Sequence, residues 1–345
     1  MGIHKELVTV HHGDARDVLI DFADNSFDVL ICDPPYGIGI SKNETTRPHW
    51  DGSDNAAFDP DFWRECGRVL KPGATLAAFG HSRTVHRLTT AIENSFSIVD
   101  TIAWLHGQGF PAGNRRLDTE LHRLGAHDLA DSFEGWGTML RPAYEPIVIA
   151  RNLSKRGSLS ESISAGGAGG FHLDAVRVPT ADARQRTHGQ VSPTATWQVN
   201  RPASSRSTPH AGGRHPANVI LEHSEACHDD ACAPQCAVAT VRAQGEVVRK
   251  RGEDASRFYG VLHHPKATSA ERPVDGVIAG NAVKPLTVMD WLVKLLARPG
   301  ELVLDPFAGT GTTLEACARA GVRSVGIERE SEYVALIKQR LARVL

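Results

Sequence analysis

Apolar and polar positions along the first 150 residues fall into short blocks of two kinds. LVTVHHGDA and FDVLICD are strand-length runs rich in β-branched and other apolar residues, the first ending in a turn. DPDFWRECGRVLKPG instead spaces Phe62, Trp63, Cys66, Val69 and Leu70 as one face of a helix, which Lys71-Pro72-Gly73 then stops. ATLAAFG reads as the next strand, HRLTTAIEN as a helix, and SIVDTIAWL and EPIVIA as further strands. Such alternation predicts an α/β fold with a largely parallel sheet.

The pattern breaks over residues 151–215, which are rich in Ser, Gly, Arg, Thr and Pro (AGGAGG, TPHAGGRHP) and predict loops. Residues 216–275 are mixed. From 284 the blocks return: KPLTVMDWLVKLLARPG as a helix, ELVLDPFAGTGTT as a strand entering a glycine turn, LEACARAG as a helix, RSVGIERE as a strand with an acidic end, and SEYVALIKQRLARVL as a closing helix. The expected organisation is one half of a core at 1–150, an inserted region at 151–279 and the other half at 280–345.

At 345 residues the chain is long enough for one large domain or two. The net charge of −2 decides nothing about partners, but residues 151–215 hold nine Lys/Arg against three Asp/Glu. No apolar run approaches the ~20 residues that span a bilayer, and the N-terminus lacks a signal-peptide core, so a soluble cytoplasmic protein is expected. Six cysteines are too few for a disulfide framework; Cys32, Cys66 and Cys317 sit in apolar contexts and read as core.

ELVLDPFAGTGTT carries the clearest ligand chemistry. In open α/β sheets ligands bind beyond the carboxyl ends of strands, where glycine lets the backbone approach closely. Gly309 and Gly311 fit that role, with Asp305, Pro306 and Phe307 shaping the turn. Glu328, 17 residues past Gly311 at the end of the next strand, can accept from both ribose hydroxyls of a nucleoside. The turn has no third glycine at dinucleotide spacing and no Gly-Lys-Ser/Thr, which favours a nucleoside without pyrophosphate.

LICDPPYGIGI poses the other problem. A buried strand runs into Asp33, Pro34, Pro35 and Tyr36, although proline cannot feed a sheet ladder and a buried acid needs a partner. A rigid strand exit is the plain reading of these four residues, and a reactive site the sharper one.

Together, DPPY and DPFAGTGTT resemble the catalytic and S-adenosylmethionine-binding motifs of DNA amino-methyltransferases, in the order of the β group: catalytic motif, target-recognition region, cofactor motif. NSFDVLICDPPYGI, RVLKPGATLAAFGHSRTVHR, IAWLHGQGFPAGN, GWGTMLRPAYEPIVIARN, GRHPANVI and ASRFYG are similar to segments of adenine methylases from phages and mobile elements. The resemblance implies a Rossmann-like methyltransferase fold with a mostly parallel sheet, permuted motif order and an irregular insertion. It implies S-adenosylmethionine as cofactor and double-stranded DNA as partner, in a bacterial host or phage-infected cell, and leaves open a homodimer and a cognate restriction enzyme. By the same resemblance the Asp33 carboxylate and Pro34 carbonyl accept from the adenine N6 amine, and Tyr36 stacks on the flipped base. Asp14 either approaches the cofactor adenine or merely forms a turn. Thr312 and Thr313 either touch the cofactor or cap a helix. The family's His-Pro-x-x-Lys-Pro appears here as Gly280-Asn281-Ala282-Val283-Lys284-Pro285, keeping Lys284 without the histidine.

Arg184, Arg186, Arg201, Arg206 and Arg214 in the basic stretch are candidate DNA contacts, and Arg257 with Phe258 and Tyr259 could line the groove or, for the aromatic pair, simply pack. HSEACHDDACAPQC sets Cys227, Cys232 and Cys236 as C-x4-C-x3-C, with His223 four residues upstream and His228 nearby. Zinc held by His223 and the three cysteines is one reading; three thiols without metal is the other. The rival functions are a cytosine-N4 methyltransferase, a catalytically silent DNA-binding module, an RNA methylase and a small-molecule methyltransferase.

Overall fold

The run FDVLIC forms β2 (Phe27–Cys32), and every residue of it is buried. That is the signature of a strand covered on both faces, and the rest of the molecule is arranged around it. The computed structural model describes residues 7–39, 55–106, 116–140, 142–152, 158–179, 211–223, 227, 231–233, 236–247, 259–262, 274–275, 278–279 and 283–344.

Eleven strands and ten helices follow along the described chain: β1 (Val8–His12), α1 (Ala15–Val18), β2, α2 (Pro60–Val69), β3 (Leu70–Phe79), α3 (Val85–Glu93), β4 (Ser97–Leu105), α4 (Leu117–Arg123), α5 (His127–Ser132), β5 (Tyr144–Arg151), α6 (Leu159–Ser164), β6 (Val219–Glu222), α7 (Ala237–Val247), β7 (Gly260–Leu262), β8 (Val274–Asp275), β9 (Ile278–Ala279), α8 (Leu286–Leu296), β10 (Leu302–Asp305), α9 (Thr312–Arg319), β11 (Arg323–Glu328) and α10 (Ser331–Leu341). Nine strands make one sheet in the order β1-β11-β10-β2-β3-β5-β4-β6-β7, and β8 and β9 pair apart from it. All neighbours are parallel except at β5, which runs against both β3 and β4. Hence the carboxyl ends of eight strands and the amino end of β5 share one edge.

Alternation along the strands splits the core into two layers. Leu30, Cys32, Leu76 and Ala78 face α2 and α3, joining Phe62, Trp63, Cys66, Leu88 and Ile92. Val29, Ile31, Ala77 and Phe79 face the opposite side, against Val288, Met289 and Leu292 of α8 and Ala316 and Cys317 of α9. Cys32, Cys66 and Cys317 are fully buried, as their apolar contexts predict.

α2 starts where it should. Asp59 caps it by accepting from the Asp61 N–H, and Pro60 occupies the first turn, where its missing N–H is not needed. It ends at Val69, before Lys71-Pro72-Gly73, but those three residues already belong to β3. They fit because the β2–β3 register shifts between Phe27 and Val29, and a bulge tolerates proline. Lys71 Nζ then reaches Asp28 Oδ1 at 2.6 Å, which neutralises an acid that β2 buries.

The stretch 151–215, expected as loops, also carries α6, and the mixed stretch 216–275 supplies strands. β6 pairs with β4 and β7 with β6, so part of it extends the central sheet. No helix among the described residues is long and apolar enough to cross a membrane.

Candidate active site

The sequence motifs converge on that shared edge. β10 ends at Asp305, β11 at Glu328, β1 just before Asp14, and β2 just before Asp33. Four acids brought to one rim need four answers to the cost of burial.

At the glycine turn the answer is mainly backbone. Glu328 is buried, and its carboxylate accepts from the Gly309 N–H at 2.7 Å through Oε2 and from the Glu330 N–H at 2.8 Å through Oε1. Burial still wins and holds its pKa above the usual carboxylate range, although the backbone donors oppose it. Asp305 is buried too, and accepts from the Phe307 N–H at 3.0 Å. Burial lifts its pKa to about 7 against the opposing Thr313 hydroxyl and Phe307 amide. Pro306 is buried, and the Phe307 ring lies 5.2 Å from that of Phe62.

Gly309 and Gly311 have φ of +52° and +84°, a region that L side chains rarely adopt. The position a Cβ would take on Gly309 faces open space, its nearest neighbour being the Phe307 carbonyl at 3.9 Å. The turn is thus a cradle with acceptors at its rim. Arg340, almost wholly buried on α10, braces it by donating to the Thr310 carbonyl at 2.8 Å and to Glu315 at 2.7 Å.

Gly311, not a threonine, is the N-cap of α9, and no side chain caps that end. The Thr313 hydroxyl serves Asp305 instead, and Thr312 is buried in the first turn. Asp14 caps α1 by accepting from the Arg16 N–H and pairs with the Arg16 guanidinium at 2.9 Å. The Arg16 hydrogen bond, outweighing burial, keeps its pKa low.

At the exit of β2 the answer is a cation. Lys284 Nζ lies 2.6 Å from Asp33 Oδ2 and 3.5 Å from Glu145 Oε2. The ammonium is also 5.0 Å from the centre of the Tyr36 ring and 5.2 Å from that of Phe79, a cation–π arrangement. The Tyr36 hydroxyl donates to Glu145 Oε2 at 2.9 Å. Burial pushes the Asp33 carboxyl up, and Lys284 recovers only part of that shift. Burial pulls the ammonium down, but Asp33 and Glu145 outweigh it and hold it above its usual value. Asp33 Oδ1 is buried and accepts no well-formed hydrogen bond among the described residues, although the nearby Tyr36 hydroxyl also favours the charged carboxylate. The carbonyls of Pro35 and Tyr36 are already used, by Asn55 Nδ2 at 2.9 Å and Thr84 Oγ1 at 2.8 Å.

Lys284, grouped by the sequence with cofactor contacts, is therefore placed on Asp33. Glu145 carried no role in the sequence reading. It enters the rim because β5 is reversed, pairing Trp104 with Glu145 and Leu105 with Tyr144. A Glu-Pro at the start of a buried run was the available signal, the mirror of Asp-Pro at the end of one. His106, beside Trp104 and 3.7 Å from Glu145, completes this corner.

Arg184, Arg186, Arg201, Arg206 and Arg257 lie outside the described residues, as do Phe258, His228 and Gly280-Asn281-Ala282. Arg214 is described: its backbone exchanges two hydrogen bonds with Val178 at 2.9 Å. Tyr259, half-buried, packs against the small cluster of Leu221, Cys236 and Val238.

The model of the N6/N4 DNA methylase family matches residues 27–339. The chain is 24% identical over 368 residues to the type II methyltransferase M.HindIII of Haemophilus influenzae, covering 96% of this chain and 94% of the relative. It is 22% identical over 331 residues to the type II methyltransferase M.HpaI of Haemophilus parainfluenzae, covering 95% and 72%. Among solved structures, the cytosine-N4-specific PvuII DNA methyltransferase superposes with a TM-score of 0.52 at 14% identity, over 96% of this chain and 86% of that one, which shows the shared fold. The chain belongs to the DNA methylase family.

Proposed function

We propose that this DNA methyltransferase is a β-group, DPPY-type enzyme that uses S-adenosylmethionine to methylate the N6 amine of an adenine flipped out of duplex DNA. The observation that carries the reading is Asp33: one carboxylate oxygen is tied to Lys284, and the other is buried without a well-formed donor among the described residues. A buried acceptor without a partner is costly, and an exocyclic amine supplies the missing N–H.

The cofactor fits the glycine turn. Glu328 presents both carboxylate oxygens, with lone-pair capacity beyond the backbone donors they already serve, for the ribose hydroxyls. Gly309 leaves open the space a side chain would fill. Asp14 and Phe307 flank the same rim, and Asp305 fixes the turn from beneath. When bound, S-adenosylmethionine supplies an electrophilic sulfonium methyl group.

The chain's own part is positioning. An aromatic amine is a weak nucleophile because its lone pair is delocalised into the ring. Accepting its two hydrogens at Asp33 Oδ1 and the Pro34 carbonyl favours a pyramidal nitrogen with the lone pair exposed. Tyr36, its hydroxyl fixed on Glu145, offers a ring face for stacking. Lys284 favours the charged form of Asp33 against burial, and the carboxylate can then take the proton shed after alkylation. Asp rather than Ser at the head of the motif favours adenine over cytosine.

Nucleoside mass spectrometry of DNA from cells expressing the protein is expected to show N6-methyladenine. N4-methylcytosine alone would overturn the adenine assignment. Asp33→Ala should lower methyl transfer to duplex DNA about 10²–10³-fold while DNA binding persists. Wild type and Asp33→Ala equally inert, with DNA binding retained, would favour a silent binding module.

A further inference from the structure

β6 ends at Glu222, and the next residue, His223, opens a cluster that the methyl-transfer site does not use. His223, Cys227, Cys232 and Cys236 each present one ligand atom, and the four atoms all lie within 4.8 Å of one another. None of these cysteines is in a disulfide. His223 Nδ1 is 3.5 Å from Cys232 Sγ and also 3.5 Å from Cys236 Sγ.

Two thiols aimed at one ring nitrogen are difficult to explain as hydrogen bonds. A neutral imidazole nitrogen has a single in-plane lone pair and accepts one S–H well. The spacing does match two edges of a tetrahedron. Zn–S bonds of about 2.3 Å and Zn–N bonds of about 2.0–2.1 Å put S and N about 3.6 Å apart. We infer that His223, Cys227, Cys232 and Cys236 form a closed, four-coordinate structural zinc site that pins the outer edge of the sheet.

The surroundings suit thiolate ligands. The Ala233 N–H donates to Cys227 Sγ at 3.2 Å, and Arg242 Nη1 donates to Cys232 Sγ at 3.6 Å. Three thiolates and one Zn²⁺ leave a net charge of −1, which the Arg242 guanidinium offsets. Four protein ligands fill the coordination shell and leave no open position for a substrate, so the ion is structural, not catalytic.

The need is equally visible. β6 has four residues and β7 three; Ile220 joins the main core on one face of the sheet, but on the other the buried apolar residues among those described are Leu221, Cys236 and Val238. A core that small does not stabilise an edge unaided. The metal would join the end of β6 to the start of α7, and the His223 N–H already donates to the Leu262 carbonyl of β7. One residue before the ligand, buried Glu222 accepts from Trp104 Nε1 at 2.9 Å, and Trp104 packs on His106 beside Glu145. The site therefore braces the outer wall of the catalytic corner from outside it.

Elemental analysis of the full-length protein, purified under reducing conditions without a metal-chelating column, should find one zinc per chain. Cobalt substituted for zinc should give thiolate-to-metal charge transfer and the strong visible bands of tetrahedral coordination. Titration of the wild type with a mercurial should release the zinc as three thiols react, a measurement that needs no variant to fold. Cys232→Ser should lose most of the zinc, whereas Cys317→Ala should keep it. Protein that stays free of zinc after reconstitution, cobalt spectra without tetrahedral bands, or a disulfide among the three cysteines would each overturn the proposal.

Discussion

Two strand exits at the same rim solve the same problem in opposite ways. At the ends of β10 and β11, Asp305 and Glu328 are held by groups of their own turn: backbone N–H donors for both, with the adjoining Thr313 hydroxyl also serving Asp305. At the end of β2, Asp33 is held by the side chain of Lys284, 251 residues away in sequence. Backbone donors are fixed by the fold and stay in place whatever binds. A side-chain cation is a separate part, and its removal leaves the acid buried without compensation. The glycine turn is thus built in advance, whereas the catalytic exit depends on a long-range charge balance among Asp33, Glu145 and Lys284.

Lys284→Met should expose that difference most sharply. Without the ammonium, burial and Glu145 both drive the Asp33 carboxyl further up, and the acid form is the wrong one for accepting an N–H. The acid limb of the pH profile of kcat/KM should move upward by about 1–3 units, which is tenfold in rate per unit on that limb. Lys284→Arg should shift it less. An unmoved limb in Lys284→Met would show that the cation does not control Asp33.

Glu328→Gln tests the other exit and should act on binding more than on rate. The amide oxygen can replace only one of the two acceptors now serving Gly309 and Glu330. A lost hydrogen bond to a charged group is worth about 1.5–3 kcal/mol, so the Kd for S-adenosylmethionine should rise about 10- to 100-fold in titration calorimetry, with kcat nearly kept. An unchanged Kd would remove Glu328 from the cofactor site.

The smallest effect belongs to Asp305. Its pKa is 3.8 unperturbed and about 7 when folded, so folding binds the proton more tightly than the unfolded chain does. Its contribution to stability is intact below the unfolded value and is lost as pH rises through about 7. Asp305→Asn, which cannot ionise, should therefore melt about 2–4 °C above wild type at pH 8. The gain should shrink at pH 5 and vanish below about pH 4. A gain independent of pH would mean that the carboxyl is not buried in its charged form.

Much of this rim was legible in the sequence because it is made of strand ends. A buried run that stops at an acid, as at Asp33, Asp305 and Glu328, marks its position without any knowledge of neighbours. Gly309 and Gly311 were legible for the same local reason. What stayed hidden depends on pairing over distance. Lys284 reads, through the Lys-Pro it shares with the family's segment, as a cofactor contact, and nothing nearby in sequence points to Asp33. Glu145 required the direction of β5, which apolar content does not encode. Thr313 could be read as a cap because the sequence does not show that Gly311 takes that place. β3 shows a subtler gap: Lys71-Pro72-Gly73 stops the helix as expected, yet a bulge lets the same residues open a strand.

The reversal of β5 has a consequence for how this corner can vary. In the parallel part of the sheet, each acid is delivered by a strand whose position follows from a crossover and its packing. Glu145 is delivered by the antiparallel register of β5 against β4 and β3, where Trp104 faces Glu145 and Ala78 faces Val148. Side chains on a strand alternate with a period of two, so a slip of one residue would turn Glu145 to the opposite face. The tolerance of the region is therefore quantised. Residues can be added to the connection between His106 and Tyr144 with little effect on the charge balance. A single insertion inside β5 itself would separate Tyr36 and Lys284 from their shared carboxylate at one stroke.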